Sequence, residues 1–265
     1  MTACSNKPDS ALTPINVEIE KTAGGYQLLR GGEPYKVRGA GMVVDDIERF
    51  AAHGGNSIRT WNTAHSKQDT RALLDKAHAH GVTVALGLPV RSERHGFNYD
   101  DAEEVAAQLE FMRGEVLKYR DHPAVLAWVI GNELNHSYEN PRVYDAVNDV
   151  AAMIEELDPY HPTTTATSGF KPDVNAEILA RAPALDFISF QMYGSIFRLP
   201  ERLEESNFDE PFMVTEWGTI GYWETESTDW GAPVEVHSSD KADTFLRAYR
   251  DILAPLDGQL LGSYA

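Results

Sequence analysis

The chain has 265 residues, of which 42% are hydrophobic and 10% aromatic, with 23 Lys and Arg against 41 Asp and Glu and a formal net charge of −18. That length suits a single (β/α)8 barrel, and no apolar run approaches the roughly 18 residues that would cross a bilayer, so no transmembrane segment is expected. The negative surface repels phosphate backbones, which excludes nucleic acid as an expected partner and favours neutral ligands over anionic polymers such as uronates unless local arginines reverse the field.

The N-terminal residues 1–14 read as a tether, with Pro8 and Pro14 in a polar stretch. The one cysteine, Cys4, excludes an internal disulfide and a Cys-based zinc site. Thr2-Ala3-Cys4-Ser5-Asn6 resembles the end of a bacterial lipoprotein signal, in which a cysteine after a small residue is lipidated. The expectation is a lipid anchor at Cys4 and a cell-envelope location (periplasm or outer membrane), with an ordinary disordered N-terminus and the cytoplasm as the alternatives.

Residues 15–37 alternate apolar and polar positions around Ala23-Gly24-Gly25, with a second glycine pair at Gly31-Gly32, and predict a small antiparallel hairpin ahead of the main domain. Beyond it, apolar runs of strand length occur at 37–43, 57–61, 82–88, 125–130, 163–167, 187–192, 212–215 and 259–264. Helix-length amphipathic stretches separate them: Val105, Leu109, Met112 and Val116 mark one buried face, and Val143, Val147, Val150, Ile154 and Leu157 mark another. Alternating β and α elements give a barrel or an open doubly wound sheet. Gly39-Ala40-Gly41 lacks a third glycine and is followed by Met42-Val43-Val44, not by a helix start, so the phosphate fingerprint of the open sheet is missing. The predicted fold is therefore a (β/α)8 TIM barrel over residues 15–265, including the hairpin. No helix follows the eighth strand before Ala265, so apolar surface is expected to be exposed near Leu260 and Leu261.

Two glutamates occupy matching settings. Glu133 ends Trp128-Val129-Ile130-Gly131-Asn132-Glu133, and Glu216 ends Phe212-Met213-Val214-Thr215-Glu216 before Trp217-Gly218. In a parallel barrel, groups at strand ends face the functional loops, and two carboxyls across one sugar linkage are what glycosidic cleavage requires. By alternation Phe212, Val214 and Glu216 share a face, which places Glu216 above a column of interior side chains. The same rule separates Asn132 from Glu133, so both reach one site only through a bulge or strong twist. Trp128 reads as a core aromatic, and Asp45 and Asp46 as caps of the first helix. Of the histidines, His78 and His80 sit at a helix end on the surface, His53 and His122 at helix ends where a cation suits the dipole, and His95 and His136 within reach of substrate. No metal site and no cofactor is expected.

From Gly25 to Ala265 the sequence resembles the retaining β-glycosidases of the (β/α)8 clan that includes glycoside hydrolase families 2 and 5. The resemblance rests on Val37-Arg38-Gly39-Ala40-Gly41, Gly54-Gly55-Asn56-Ser57-Ile58-Arg59-Thr60-Trp61, His122-Pro123-Ala124-Val125-Leu126-Ala127-Trp128, Gly131-Asn132-Glu133, Gln191-Met192-Tyr193-Gly194 and Thr215-Glu216-Trp217-Gly218, all in order. It implies Glu133 as acid/base and Glu216 as nucleophile. It further implies Arg59 as the cation that keeps Glu216 ionised, Tyr193 as a hydrogen-bond partner of Glu216, and Asn132 as the group on the sugar 2-hydroxyl. The alternative for Arg59 is a structural bridge to Asp45 or Asp46. Trp61, Trp217, Trp223 and His136 complete the expected substrate-binding set, because flat pyranose faces stack on rigid aromatic rings. The 218–239 loop also carries Tyr222 and Trp230, and Trp230 suits either a sugar platform or a self-packed lid. The 89–100 loop carries Arg91, Arg94, His95, Phe97 and Tyr99, which suit a cleft wall or the reading of a charged substituent. The resemblance also implies a Trp at the end of the eighth strand, which this chain does not reach. The expected activity is hydrolysis of a neutral β-linked glycan, a β-glucan first, by double displacement. The alternatives are a transglycosylase with the same two glutamates, a non-catalytic carbohydrate-binding barrel, or a metal-dependent hydrolase needing strand-borne histidines, which are not found.

Overall fold

The structure is a computed structural model that describes residues 12–42, 46–63 and 69–265. Cys4, Asp45 and most of the tether lie outside the described residues. Strands β1 (Val17–Thr22) and β2 (Gly25–Arg30) pair antiparallel, with Thr22 opposite Gly25, and a two-residue β3 (Glu33–Pro34) adds to β2.

The remaining eight strands close a parallel barrel in the order β10-β11-β4-β5-β6-β7-β8-β9. They are β4 (Val37–Gly41), β5 (Ser57–Arg59), β6 (Thr83–Leu88), β7 (Val125–Asn132), β8 (Thr163–Ser168), β9 (Phe187–Met192), β10 (Phe212–Trp217) and β11 (Leu260–Tyr264). Helices α1 (Ile47–Ala52), α2 (Thr70–Ala79), α3 (Ala102–Tyr119), α4 (Arg142–Leu157), α5 (Pro172–Arg181), α6 (Leu199–Ser206) and α7 (Ser238–Arg247) alternate with them. Each predicted strand is present within a few residues of its expected limits. The two predicted helix stripes face inward: Val143, Val147, Val150 and Ile154 are buried on α4, and Met112 and Val116 on α3.

Two apolar layers hold the barrel. Between sheet and helices lie Ile58, Val84, Leu86, Ile188, Phe190, Phe212, Val214 and Leu260 against Leu73, Leu74, Met112, Val147 and Ile178. Inside the barrel Val37, Leu126, Val129, Phe187, Met213, Leu261 and Tyr264 meet Val17 and Leu28 of the N-terminal sheet, which plugs the end opposite the strand C-termini. Part of the interior is polar and internally bonded: Ser57 Oγ lies 2.9 Å from Tyr264 Oη, and Thr83 Oγ1 donates to Ser57 Oγ at 2.8 Å.

Three expectations need correction. Leu260 and Leu261 are not exposed (5% and 3%), because Leu260 packs in the outer layer and Leu261 points into the barrel. Near the end of the chain, exposed apolar side chains lie instead on and just after α7, at Phe245, Leu246 and Tyr249. Asp46 holds the N-cap position of α1 but its side chain makes no capping bond; Asp69 and Asp101 cap α2 and α3 in the expected way, each accepting two backbone N–H bonds. His122, expected as a cation at a helix end, is buried; it pairs with Asp75 at 3.0 Å, and burial lowers its pKa, which disfavours the charged form. Trp128, as expected, is core, and its indole N–H donates to buried Asp158 at 2.7 Å.

Candidate active site

The two glutamates reach the same cavity through two irregularities in the barrel. On β10, Phe212 and Val214 face the helices and Met213 faces the barrel, so strict alternation would turn Glu216 outward. The pairing of β10 with β9 slips between Val214 and Glu216, and this bulge turns Glu216 into the site. The expectation that Phe212, Val214 and Glu216 share an interior face is therefore wrong, although Glu216 does end where that reasoning placed it. The slip also sends Trp217 outward: its ring is buried against Phe245 (centroids 5.5 Å apart) and Tyr249 (6.5 Å, stacked). Trp217 is thus a packing residue behind Glu216, a correction to its expected contact with sugar.

On β7 the pairing with β8 slips between Val129 and Asn132, Gly131 takes φ 76° and Glu133 takes φ 50°. This is the irregularity that Asn132 and Glu133 need to face one site together. Left-handed backbone at a non-glycine residue costs on the order of 1–3 kcal/mol, and strain of this kind collects at functional positions. Only glycine suits position 131: besides the left-handed φ, an added Cβ would lie 2.6 Å from Leu134 Cδ1. Gly131→Ala is expected to destabilise the fold by about 1–3 kcal/mol and to displace Glu133, lowering kcat more than it raises KM. Denaturant titration and steady-state kinetics check this.

Glu216 is held by three donors. Its Oε1 accepts from Arg59 Nη1 at 2.5 Å and from Trp61 Nε1 at 2.8 Å, while Oε2 accepts from Tyr193 Oη at 2.9 Å. Arg59 is fully buried at the end of β5 and forms no bridge to Asp46; its guanidinium also reaches Asn132 Oδ1 at 2.6 Å through Nη2. Burial lowers the Arg59 pKa and the charge of Glu216 opposes that shift; a guanidinium nevertheless remains charged near neutrality. Asn132 Oδ1 accepts a second bond from Gln191 Nε2 at 2.7 Å. With its oxygen engaged twice, the side-chain amide of Asn132 has its N–H2 left to offer a ligand.

Glu133 sits in a different environment. Burial, and then the charge of Glu216, push its pKa up, against opposing pulls from Arg94, His136 and Arg59. Arg94 lies 3.8 Å from Glu133 Oε2 on the loop after β6. The neighbouring Glu93 ties that loop to the one after β7 by accepting from the backbone N–H groups of Glu139 and Asn140 at 2.8 and 2.9 Å. Arg94→Gln is expected to raise the Glu133 pKa further, because the only change is loss of an opposing cation. Proton loss from Glu133, followed by carboxyl NMR, should then move to higher pH.

Glu133, Glu216, Tyr193, His136 and Trp223 line one cavity of about 670 Å³ together with Arg94, Lys171, Gln191, Arg202, Tyr222 and Glu224. A second cavity of about 340 Å³ holds Trp61, Asn132, Arg91 and His95, and Arg94 lines both. His136 and Trp223 are exposed, and Trp223 meets Tyr193 edge-on at 5.3 Å. Trp61 is 40% exposed but spends its indole N–H on Glu216, so it orients the carboxylate besides forming a wall. Phe97 and Tyr99 are buried against each other and support the 89–100 loop without facing the cleft, and Trp230 is exposed at 81%, not folded into a lid. Sequence reasoning missed Gln191 as a site residue, and also Arg94's contact with Glu133, Lys171, Arg202 and Glu224. Of these, Gln191 alone carried a usable signal, since it stands next to Met192 at a strand end. His78 and His80 are exposed on and just after α2. Among the described residues no group of three or more His, Cys, Asp or Glu side chains is placed to hold a metal ion.

Known proteins resemble this chain in sequence and in fold. Residues 35–222 match the family described as Glycosyl hydrolases family 2, TIM barrel domain. Mannan endo-1,4-beta-mannosidase F of Aspergillus clavatus is 34% identical over 156 residues, covering 53% of this chain and 35% of that protein. A probable mannan endo-1,4-beta-mannosidase A-1 of Aspergillus terreus is 23% identical over 174 residues, covering 54% and 44%. The chain thus spans less than half the length of these curated relatives. Among solved structures, β-D-glucuronidase of Dictyoglomus thermophilum superposes with a TM-score of 0.71 at 20% identity, over 94% of this chain and 46% of that one. A Bifidobacterium dentium beta-glucuronidase complexed with coumarin-3-O-glucuronide gives 0.69 at 18% identity, over 94% and 42%; at such identities the likeness concerns the fold. With its eight-stranded barrel and its paired glutamates at the ends of β7 and β10, the chain belongs to the glycosyl hydrolase family 2 TIM-barrel family.

Proposed function

We propose that this barrel hydrolyses a β-linked glycan with retention of configuration, the reacting sugar being neutral. The observation that carries the reading is the asymmetry of the two carboxyls. Glu216 is held by Arg59, Trp61 and Tyr193, whereas Glu133, on the same cavity, is pushed towards its protonated form. One carboxyl held by three donors and another pushed towards its neutral form suit a nucleophile and an acid respectively.

In the first step Glu133 donates its proton to the glycosidic oxygen as that bond breaks, and a Glu216 oxygen bonds to C1 from the opposite face. The glycosyl ester carries no charge, so the smaller of the two causes that raise the Glu133 pKa, the charge of Glu216, is removed while burial remains, and its pKa falls. Glu133, now a carboxylate, takes a proton from water as the water oxygen attacks C1 and Glu216 departs with its electron pair. The N–H2 of Asn132 suits the sugar 2-hydroxyl, and Tyr193 can release Glu216 Oε2 as that oxygen loses charge.

The aromatic residues at the cleft and the family resemblance support a β-glucan backbone. The fungal relatives are named mannan endo-1,4-beta-mannosidases, which puts β-1,4-mannan beside it as a second reading. The two sugars differ only at C2, where Asn132 is the discriminating group. A sugar hydroxyl in place of water would make the same steps a transglycosylation. A lipid anchor at Cys4 belongs to the proposal as well, with metabolic labelling by palmitate as its test. Incubating defined β-glucans, mannans and galactans with the protein, with Glu216→Ala as control, tests the main reading. Cleavage of one backbone by the wild type alone supports it. Binding without turnover would identify a non-catalytic sugar-binding barrel instead.

A further inference from the structure

We infer that the cleft carries, on its leaving-group side, a subsite for an anionic sugar substituent, a carboxylate or a sulfate ester, held by Lys171 and Arg202. The inference rests on the glycosidase reading of the site and names part of its substrate. It starts from an imbalance of charge. The chain as a whole holds 41 acidic against 23 basic residues. The lining of the two cavities differs: among the described residues Arg91, Arg94, Lys171 and Arg202 stand against Glu224 as the one carboxylate apart from Glu133 and Glu216. Glu224 lies on the loop after β10, where its Oε2 accepts from the backbone N–H groups of Gly194 and Gly221, both at 3.2 Å.

Basic side chains beside two catalytic carboxylates have an ordinary explanation, namely neutralisation. Arg59 on Glu216 at 2.5 Å and Arg94 at 3.8 Å from Glu133 already fill that role. Lys171 and Arg202 do not. Among the described residues neither forms an ion pair, and the contact that Arg202 makes is a 3.1 Å bond from Nη1 to the carbonyl of Phe170, the residue before Lys171. That bond ties α6 to the loop after β8, and Arg202 and Lys171 line the same cavity with Ser168 and Ser195 as neutral donors. Two cations lining one cavity without an ion-pair partner suit an anion, which accepts charge-assisted hydrogen bonds from them.

Position assigns the subsite. Lys171 and Arg202 follow β8 and β9, which lie between β7, ending in Glu133, and β10, ending in Glu216, and both line the larger cavity. Trp61 and Asn132 line the other cavity, on the β5 and β7 side, and with Arg59 they surround the sugar that Glu216 attacks, so the subsite for its neighbour is assigned to the opposite side, over β8 and β9. The reacting sugar stays neutral and its neighbour brings the charge.

The test uses three β-linked disaccharides that share the neutral non-reducing sugar of the backbone cleaved in the screen above. The reducing-end residue is a hexose, the corresponding hexuronic acid or the 6-sulfated hexose. At low salt, kcat/KM is expected to be about tenfold higher for an acidic member than for the neutral one. The ratio should fall towards one in about 0.5 M NaCl, which screens exposed charges, and in Lys171→Ala/Arg202→Ala. Which acidic member is preferred tells carboxylate from sulfate. Equal rates on all three, or a preference that survives both salt and the double substitution, would overturn the subsite and leave the glycosidase reading intact. Cleavage of none of them counts against the glycosidase reading alone. Calorimetric titration of Glu216→Ala with glucuronic acid and with glucose 6-sulfate then reads the subsite directly. Binding that disappears on adding the double substitution supports it, and absence of heat for both ligands overturns it.

Discussion

Glu216→Ala is expected to lower kcat by a factor on the order of 10⁴ or more, because the covalent route loses its attacking atom while the fold keeps its shape. Small external nucleophiles should enter the space vacated by the carboxylate. Azide is then expected to restore turnover and to give a product of inverted configuration, the α-glycosyl azide, since it attacks from the face that Glu216 occupied. Glu133→Ala should behave differently. With a good leaving group that needs no proton, its first step survives, and azide should intercept the glycosyl-enzyme to give the β-glycosyl azide. Opposite product configurations from the two variants, read by proton NMR, would assign the roles separately. The same configuration from both would mean that the carboxyls do not divide the chemistry in this way.

Arg59→Met is expected to have the second largest effect. Arg59 is fully buried and bonds to both Glu216 and Asn132. Removing one member of a buried pair leaves the other charge uncompensated, at a cost of about 3–5 kcal/mol. The stranded group is the Glu216 carboxyl, which keeps only Trp61 and Tyr193 as donors. Denaturant titration at neutral pH should show this loss of stability against the wild type. Activity at the optimum should fall by about 10²–10³, since both the nucleophile and the 2-hydroxyl contact lose their support.

Much of this architecture was legible in the sequence, for reasons that differ by element. The strands of the barrel are buried on both faces and read as short apolar runs. Helix α4 reads clearly because Val143, Val147, Val150 and Ile154 repeat with helical period. Glu133 and Glu216 were legible because each ends such a run. How Glu216 turns inward was not: alternation along β10 gives the wrong face, and the bulge between Val214 and Glu216 is a property of pairing with β9 that no local pattern records. The outward turn of Trp217 was invisible for the same reason. Arg94, Lys171 and Arg202 come from three separate loops and helices, and only closure of the barrel brings them to one cleft. Leu260 and Leu261 were misread because burial of a strand residue depends on neighbours distant in sequence, here the outer layer and the N-terminal sheet.

The most direct measurement is chemical trapping of the reaction's midpoint. A 2-deoxy-2-fluoro glycoside of the cleaved sugar, carrying an activated leaving group, should inactivate the protein with one equivalent of label. Peptide mass spectrometry should then place the sugar on Glu216. A label on another residue, or steady turnover of that substrate to an inverted product with no covalent adduct, would contradict the division of labour between Glu133 and Glu216.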